Sequence, residues 1–317
     1  MNYQIYNLIV DSDFSLTGVT LSSVLENKIL IRCATPSETF QTPSQWFMQW
    51  HLPGGELWLS FAKLDGGYLL RFNELADFFV SNGGEKIIYK SELGIPPNTI
   101  RHLLLDQVIP LVINLRGEEA LHASAVLAQV GVIAFSGTTG AGKSTIAGEF
   151  FRAGHPLFSD DCLVLMGKKQ GIYAIPAYPE LRLWPDAAKW FFGGNNNYRA
   201  VAHYTDKNQV EIEAKEEMFC IESQALKRIY VISDSTEAEG KTNIVIEPLP
   251  SRDSFIALVQ CFFRLDITDR DMLTRQFRFL ERVASTVSIR RLIFPRDFNL
   301  LPAVREAILN DLKDLDN

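Results

Sequence analysis

Residues Gly137-Thr138-Thr139-Gly140-Ala141-Gly142-Lys143-Ser144 fill the pattern G-x-x-x-x-G-K-[ST] completely. No other feature restricts the chain so strongly, because the pattern works only between a β-strand and a helix. Its glycines let the backbone curl until successive N–H groups face one anion. The following helix turns its positive N-terminal end to the same anion. Both elements are legible: residues 132–136 read as a strand, residues 143–152 as a helix, and Gly154 suits that helix's C-terminus. At average residue frequencies a chance match in 317 residues is on the order of one per cent, and the context lowers it further. The loop therefore predicts binding of a nucleoside triphosphate by Gly137 through Ser144 and the adjoining Thr145. Lys143 is expected to reach the β- and γ-phosphates, and the Ser144 hydroxyl to ligate Mg²⁺.

Around this motif the chain shows two patterns. Up to residue 95, strand-like runs at 4–10, 28–33, 46–51, 57–61, 68–72 and 86–89 alternate with turns such as Asp65-Gly66-Gly67 and Asn82-Gly83-Gly84. They predict a mostly antiparallel β-rich domain over 1–95, with a short helix near 75–80 and Trp46, Trp50 and Trp58 in its core. Pro96-Pro97-Asn98-Thr99 reads as a linker and helix start, and 100–115 as one apolar helix kinked at Pro110. The second domain is assigned to 96–317. Its predicted strands are 123–129, 132–136, 157–166, 228–233 and 243–247, and its predicted amphipathic helices are 253–263, 269–287 and 303–315. The polar stretch 193–217 reads as a long loop, with the acidic run 211–217 as a solvated face. The expected fold class is α/β (α+β).

Composition narrows the partners. A formal net charge of −7 argues against nucleic acid. Cys33, Cys162, Cys220 and Cys261 are widely spaced, which disfavours a zinc site or disulfide framework and fits a reducing, cytoplasmic setting. No signal peptide or membrane span is legible. Homo-oligomer formation is allowed but not specified.

Asp160 and Asp161 follow the loop after one short helix, 17 residues beyond Lys143 (160 − 143). A helix of about ten residues returns the chain by about 15 Å, so a strand beginning near 157 can run beside the loop. On a continuous strand, adjacent aspartates face opposite sides and take different tasks. One suits proton removal from an attacking hydroxyl and the other a hold on Mg²⁺.

His122, the strand, the loop, the helix, Gly154-His155 and Asp160-Asp161 together resemble the catalytic domain of HPr kinase/phosphorylase. The resemblance covers about 120–185 well, the rest of the C-terminal part loosely and 1–95 hardly at all. It implies a P-loop kinase domain of the HPr kinase and phosphoenolpyruvate carboxykinase type, with ATP as donor and a serine hydroxyl as acceptor. It implies that Asp160 is the base, that His122 supports Asp160, and that Asp161 and Glu180 lie at Mg²⁺ with Ser144. Arg182, in Pro179-Glu180-Leu181-Arg182, is then a phosphate or substrate contact. The chain departs from that family at Thr138, usually acidic, at Thr145, often Glu, and at Leu183-Trp184-Pro185, usually glycine-rich. These departures point away from a carrier-protein substrate and the reverse reaction. The segment 179–187 and the β-rich N-terminal part look more like HPr-kinase-like proteins that phosphorylate the C-terminal serine of lasso-peptide precursors.

The remaining residues divide less sharply. A lone histidine such as His122 in an apolar strand is ordinarily a core residue; the resemblance moves it to the site. His155 at a helix end fits the helix dipole. Ser124 shares the face of His122. Lys207 reads as a solvated loop lysine that could touch phosphate. Arg252, Arg264, Arg290 and Arg291 are candidates for stabilising transferring charge. The expected activity is an ATP- and Mg²⁺-dependent serine kinase acting on a peptide or protein. A nucleotide-binding regulatory protein and a kinase for free serine are the competing readings, and the donor stays open among ATP, GTP and pyrophosphate.

Overall fold

The computed structural model describes residues 1–16, 19–23, 28–52, 54–193, 198–211, 218–233 and 243–315. The chain divides into two compact units. The first comprises Met1–Glu118, Val201–Thr205 and Arg264–Leu273; the second comprises Glu119–Ala200, Asp206–Phe263 and Thr274–Asn317.

The first unit is built on nine strands: β1 (Asn2–Ile5), β2 (Leu8–Ser12), β3 (Thr20–Leu21), β4 (Ile29–Cys33), β5 (Met48–His51), β6 (Leu57–Leu64), β7 (Gly67–Phe72), β8 (Ala76–Ser81) and β9 (Lys86–Ser91). They form one sheet in the order β3-β1-β2-β4-β9-β8-β7-β6-β5. Pairing is antiparallel except for β2 with β4 and β4 with β9. The run expected over 4–10 is a two-residue hairpin, with Ile5 paired to Leu8 and Tyr6 in the left-handed region at φ 56°.

The helix expected near 75–80 is instead strand β8. Ala76, Phe78 and Val80 are buried while Asp77 and Phe79 are half-buried, and that period of two is a strand's. Helix α1 (Pro97–Leu103) and helix α2 (Ile109–Leu115) are joined by a π-helical turn over Leu104–Val108. This turn interrupts the helix expected over 100–115 just before Pro110. The wider i→i−5 bonding, here Ile109 N–H to the Leu104 carbonyl, absorbs the helix irregularity one residue before the proline. The boundary expected at 95/96 falls between β9 and α1. The compact unit runs on to Glu118, with Val112 of α2 against Gly84 of the β8–β9 turn.

The second unit is organised around β12 (Gly131–Ser136), the strand that feeds the glycine-rich loop. Its sheet also contains β10 (Glu119–Leu121), β11 (Ala123–Ala128), β13 (Leu157–Ser159), β14 (Leu163–Lys168), β15 (Gly171–Ile175) and β19 (Gln224–Ile232). The order is β10-β14-β15-β19-β12-β11-β13, and β20 (Val245–Pro248) and β21 (Ser288–Ile293) extend it from β19. β12 pairs parallel with β19, and β19 parallel with β21. A small separate sheet has the order β16 (Glu180–Leu183), β18 (Asn208–Glu211), β17 (Arg199–Ala200). Two of these strands occupy parts of the loop expected over 193–217; its segments 194–197 and 212–217, with most of the acidic run, lie outside the described residues.

β12 is buried on both sides, which is why it reads as an unbroken apolar run. Ile133 and Phe135 enter one core with Ile146 and Phe150 of α3 (Lys143–Arg152) and Val304 of α7 (Leu301–Asp311). Val132 and Ala134 enter the other with Leu258 of α5 (Ser251–Cys261) and Leu280 and Val283 of α6 (Arg270–Thr286). α4 (Pro185–Phe192) starts at a proline, which suits the first helical turn. α3 ends in a Schellman motif: Gly154 at φ 92° lets His155 N–H reach the Phe150 carbonyl and Gly154 N–H the Phe151 carbonyl. The His155 ring packs edge-on against Phe150, and burial holds its pKa below the usual imidazole range. Among the described residues no helix is long and apolar enough to cross a membrane.

Candidate active site

The sequence brings the site together by closing three elements on the end of β12. The loop leaves β12 at Ser136 and enters α3 at Lys143, with Gly142 at φ 98° as the helix N-cap. That positive φ is one that residues with a Cβ rarely adopt, so glycine is required there by conformation. Arg296 braces the loop by donating to the carbonyls of Ala141 and Ser233, the latter at 2.9 Å. No motif marks Arg296 in the sequence; its signal is a cation shortly after an apolar strand end.

Lys143 is buried and donates to the carbonyls of Gly137, at 3.0 Å, and Thr138, at 3.1 Å. Burial lowers its pKa, and the charges of Asp161 and Asp160 oppose that shift. The strand expected over 157–166 is broken between β13 and β14, so the two aspartates do not alternate on a strand. Ser159 Oγ donates to the Cys162 carbonyl at 2.5 Å, and Cys162 N–H to the Asp160 carbonyl at 2.8 Å. Asp161 adopts φ 62° in this turn, a conformation that aspartate tolerates better than most residues and that clusters at functional sites.

The break gives the carboxylates separate surroundings. Asp160 is buried, and its Oδ1 accepts from Ser124 Oγ at 2.5 Å and Ser144 Oγ at 2.8 Å. Its Oδ2 accepts the Arg182 backbone N–H at 2.8 Å. Burial, then the charge of Asp161, raises its pKa to about 6, while the bonds from Ser124 and Arg182 pull the other way. Asp161 lines a cavity of about 100 Å³ with His122, Lys143, Ser144, Arg182 and Lys207. Its Oδ2 lies 3.5 Å from Lys207 Nζ and 3.8 Å from Arg182 Nη1. The resemblance gives the acceptor hydroxyl to Asp160 and the metal to Asp161; in the structure Asp161 lines the cavity and Asp160 holds Ser144.

His122 holds the backbone of that turn rather than the Asp160 carboxylate. A carbonyl only accepts, so Nδ1–H donates to the Asp161 carbonyl at 2.9 Å, which leaves Nε2 as the ring acceptor. Burial lowers the His122 pKa. The carboxylate partner is Ser124, two residues further along the chain. Arg182 is fully enclosed, with Nε 3.4 Å from Glu180 Oε1 and Nη2 donating to Tyr178 Oη at 3.1 Å. Glu180 is buried against Arg182 and does not line the cavity.

Of the candidate arginines, Arg290 is tied to Asp311 and Asp314, and Arg252 is exposed on α5. Arg264 belongs to the first unit, and Arg291 lines a larger cavity of about 690 Å³ beside Gly137, Thr138 and Thr139. The loop lysine Lys207 proves to be a cavity residue, placed there by the start of strand β18 and lying over the Trp184 ring.

The oxygen donors that line the cavity are hard: the Ser144 hydroxyl and the Asp161 carboxylate. Among the described residues no three His, Cys, Asp or Glu side chains converge on one point. This set fits Mg²⁺, which is held by one or two protein oxygens plus phosphate oxygens and water, and does not fit an all-protein metal cage.

Comparison with protein-family models and with curated proteins gives no match. Among solved structures, the HPr(Ser) kinase/phosphatase from Coxiella burnetii aligns over 62% of this chain and 99% of its own, at 12% identity and a TM-score of 0.32. A likeness at that level does not establish a shared fold or activity.

Proposed function

We propose that the protein is an ATP- and Mg²⁺-dependent kinase that phosphorylates a serine hydroxyl on a peptide or protein. The observation that carries this reading is the cavity in which Lys143, Ser144, Asp161, Arg182 and Lys207 meet at the N-terminal end of α3. Three cations and a row of loop amides suit a polyphosphate. A carboxylate on the same wall suits a hydroxyl that must lose its proton.

In this reading Lys143 leaves the carbonyls of Gly137 and Thr138 for the β- and γ-phosphates. Ser144, kept in place by Asp160, would hold Mg²⁺, which supplies charge neutralisation between the phosphates. The acceptor oxygen forms a bond to the γ-phosphorus while the bond from that phosphorus to the β,γ-bridging oxygen breaks and ADP leaves. Asp161 receives the hydroxyl proton. Arg182 and Lys207 stabilise the charge on the transferring group. Catalysis of this kind is positioning plus electrostatics. Glu180 acts by orienting Arg182.

For the acceptor, the resemblance of the segment 179–187 supports the C-terminal serine of a lasso-peptide precursor. The test is incubation with Mg²⁺ and γ-labelled ATP, offering a peptide ending in serine, the same peptide with an internal serine only, and free serine. Label in the C-terminal serine supports the proposal. Label in free serine alone makes the protein a metabolite kinase, and tight ATP binding without label in any acceptor makes it a regulatory protein.

A further inference from the structure

A third cavity, of about 220 Å³, adjoins the 100 Å³ cavity and shares Gly140, Gly142, Thr145 and Trp184 with it. Gly140, Gly142 and Thr145 form its loop wall; Trp184, Phe294 and Phe298 give it aromatic faces. None of Lys143, Asp161, His122 or Arg182 reaches it, whereas the 690 Å³ cavity is bordered by His122 and by Gly137 through Thr139. The two cavities therefore meet opposite ends of the loop.

The chemistry of a bound triphosphate has a direction that distinguishes those ends. The Lys143 amine sits on the carbonyls of Gly137 and Thr138, at the start of the loop, and His122 lines the cavity that borders that end. The terminal phosphate, which must meet both amine and acceptor, belongs there. The α-phosphate then falls toward Thr145, and whatever is esterified to it projects past Gly142.

We propose that the cavity bounded by Trp184, Phe294 and Phe298 takes the purine base of the nucleotide. The inference rests on the triphosphate-binding reading of the loop and adds the part of the donor that the loop does not recognise. Its aromatic walls suit the faces of a purine, and the carboxylates of Asp186 and Asp297 on its rim are acceptors for an exocyclic amine or ring N–H. Arg296 connects base and phosphate subsites: it lies over the Phe294 ring at 5.0 Å and donates to the Ala141 carbonyl of the loop. Trp184, 42% exposed, is a wall that can be removed without opening a core.

The test uses 8-azido-ATP, photolysed on the full chain, with adducts mapped by mass spectrometry and competed by unlabelled ATP. Adducts within 184–187 or 294–301 are expected; adducts within 251–261 of α5 overturn the assignment. In parallel, affinities for ATP and inorganic tripolyphosphate are measured for wild type, Trp184→Ala and Phe298→Ala. Both variants are expected to weaken ATP about tenfold or more, and Phe298→Ala, which lies outside the phosphate cavity that Trp184 also borders, to leave tripolyphosphate unchanged. ATP binding unchanged in both variants overturns the base pocket and spares the loop. Failure of the wild type to bind tripolyphosphate sinks the triphosphate reading itself, and the base pocket with it.

Discussion

Replacing Ser124 by alanine removes the 2.5 Å donor to Asp160 Oδ1 while leaving Ser144 and the Arg182 amide on the same carboxylate. Ser124 is fully buried, so no water replaces its hydroxyl. A hydrogen bond to a charged group contributes about 1.5–3 kcal/mol, and the lost donor favoured the ionised form. At about 1.4 kcal/mol per unit, the Asp160 pKa rises by about one to two units above its starting value of about 6. An ionised Asp160 accepts the Ser144 hydroxyl more strongly than the neutral acid does, and so holds Ser144 better toward Mg²⁺. The gain in ATP affinity on adding Mg²⁺ is therefore expected to appear with a midpoint near pH 6 in the wild type. In the variant that midpoint moves up by about one to two units. Titration calorimetry with and without Mg²⁺ across this range reads it directly. The ionisation of ATP itself is common to both proteins and cancels in the difference. An unchanged midpoint in Ser124→Ala refutes the placement of Asp160 behind Ser144.

Lys143→Met removes the buried ammonium and is expected to weaken tripolyphosphate and ATP by at least tenfold, since charge-assisted bonds to phosphate contribute about 1.5–3 kcal/mol each; equilibrium dialysis checks it. Asp160 also couples stability to pH. Its raised pKa contributes stability that is fully present below the ordinary value of 3.8 and is lost as pH rises through about 6. Two units correspond to about 3 kcal/mol, so urea melts are expected to show wild type losing stability relative to Asp160→Asn over that window; a flat difference contradicts the burial argument. Far from the site, Arg228 is enclosed and pairs with Asp311 at 2.6 Å and Asp314 at 2.8 Å. Arg228→Ala is expected to cost about 2–3 kcal/mol in urea unfolding, less than a fully buried pair because Asp314 is half exposed.

Local rules were legible wherever a local cause acts. The loop, the strand before it and the helix after it follow from glycine conformation, an apolar run and helix-end chemistry. The N-terminal strands follow from alternation and turn residues. The failures have the same physical character: each depends on partners or conformations that no local pattern encodes. The stretch 75–80 is a strand because β7 and β9 pair with it on both sides. The break at Asp160–Cys162 is set by the Ser159 hydroxyl and a left-handed Asp161, which no periodicity reveals. The pairing of Ser124 with Asp160 spans 36 residues, and that of Arg296 with Ala141 spans 155, so neither has a spacing signature. Lys207 looked like a loop lysine because strand β18, which it immediately precedes and which brings it to the cavity, lies in a polar stretch.

The claim that Asp161 accepts the proton from a serine in an ATP-dependent transfer is tested most directly by phosphopeptide formation in wild type and Asp161→Asn. Both proteins are given Mg²⁺, ATP and a peptide ending in serine, and phosphate on that serine is quantified by mass spectrometry alongside ATP affinity. The account predicts phosphoserine from the wild type and a loss of about 10²–10⁴-fold in the variant, with ATP binding largely kept. Wild-type rates of phosphoserine formation in Asp161→Asn would contradict it, as would ADP release from the wild type with no phosphate on the peptide.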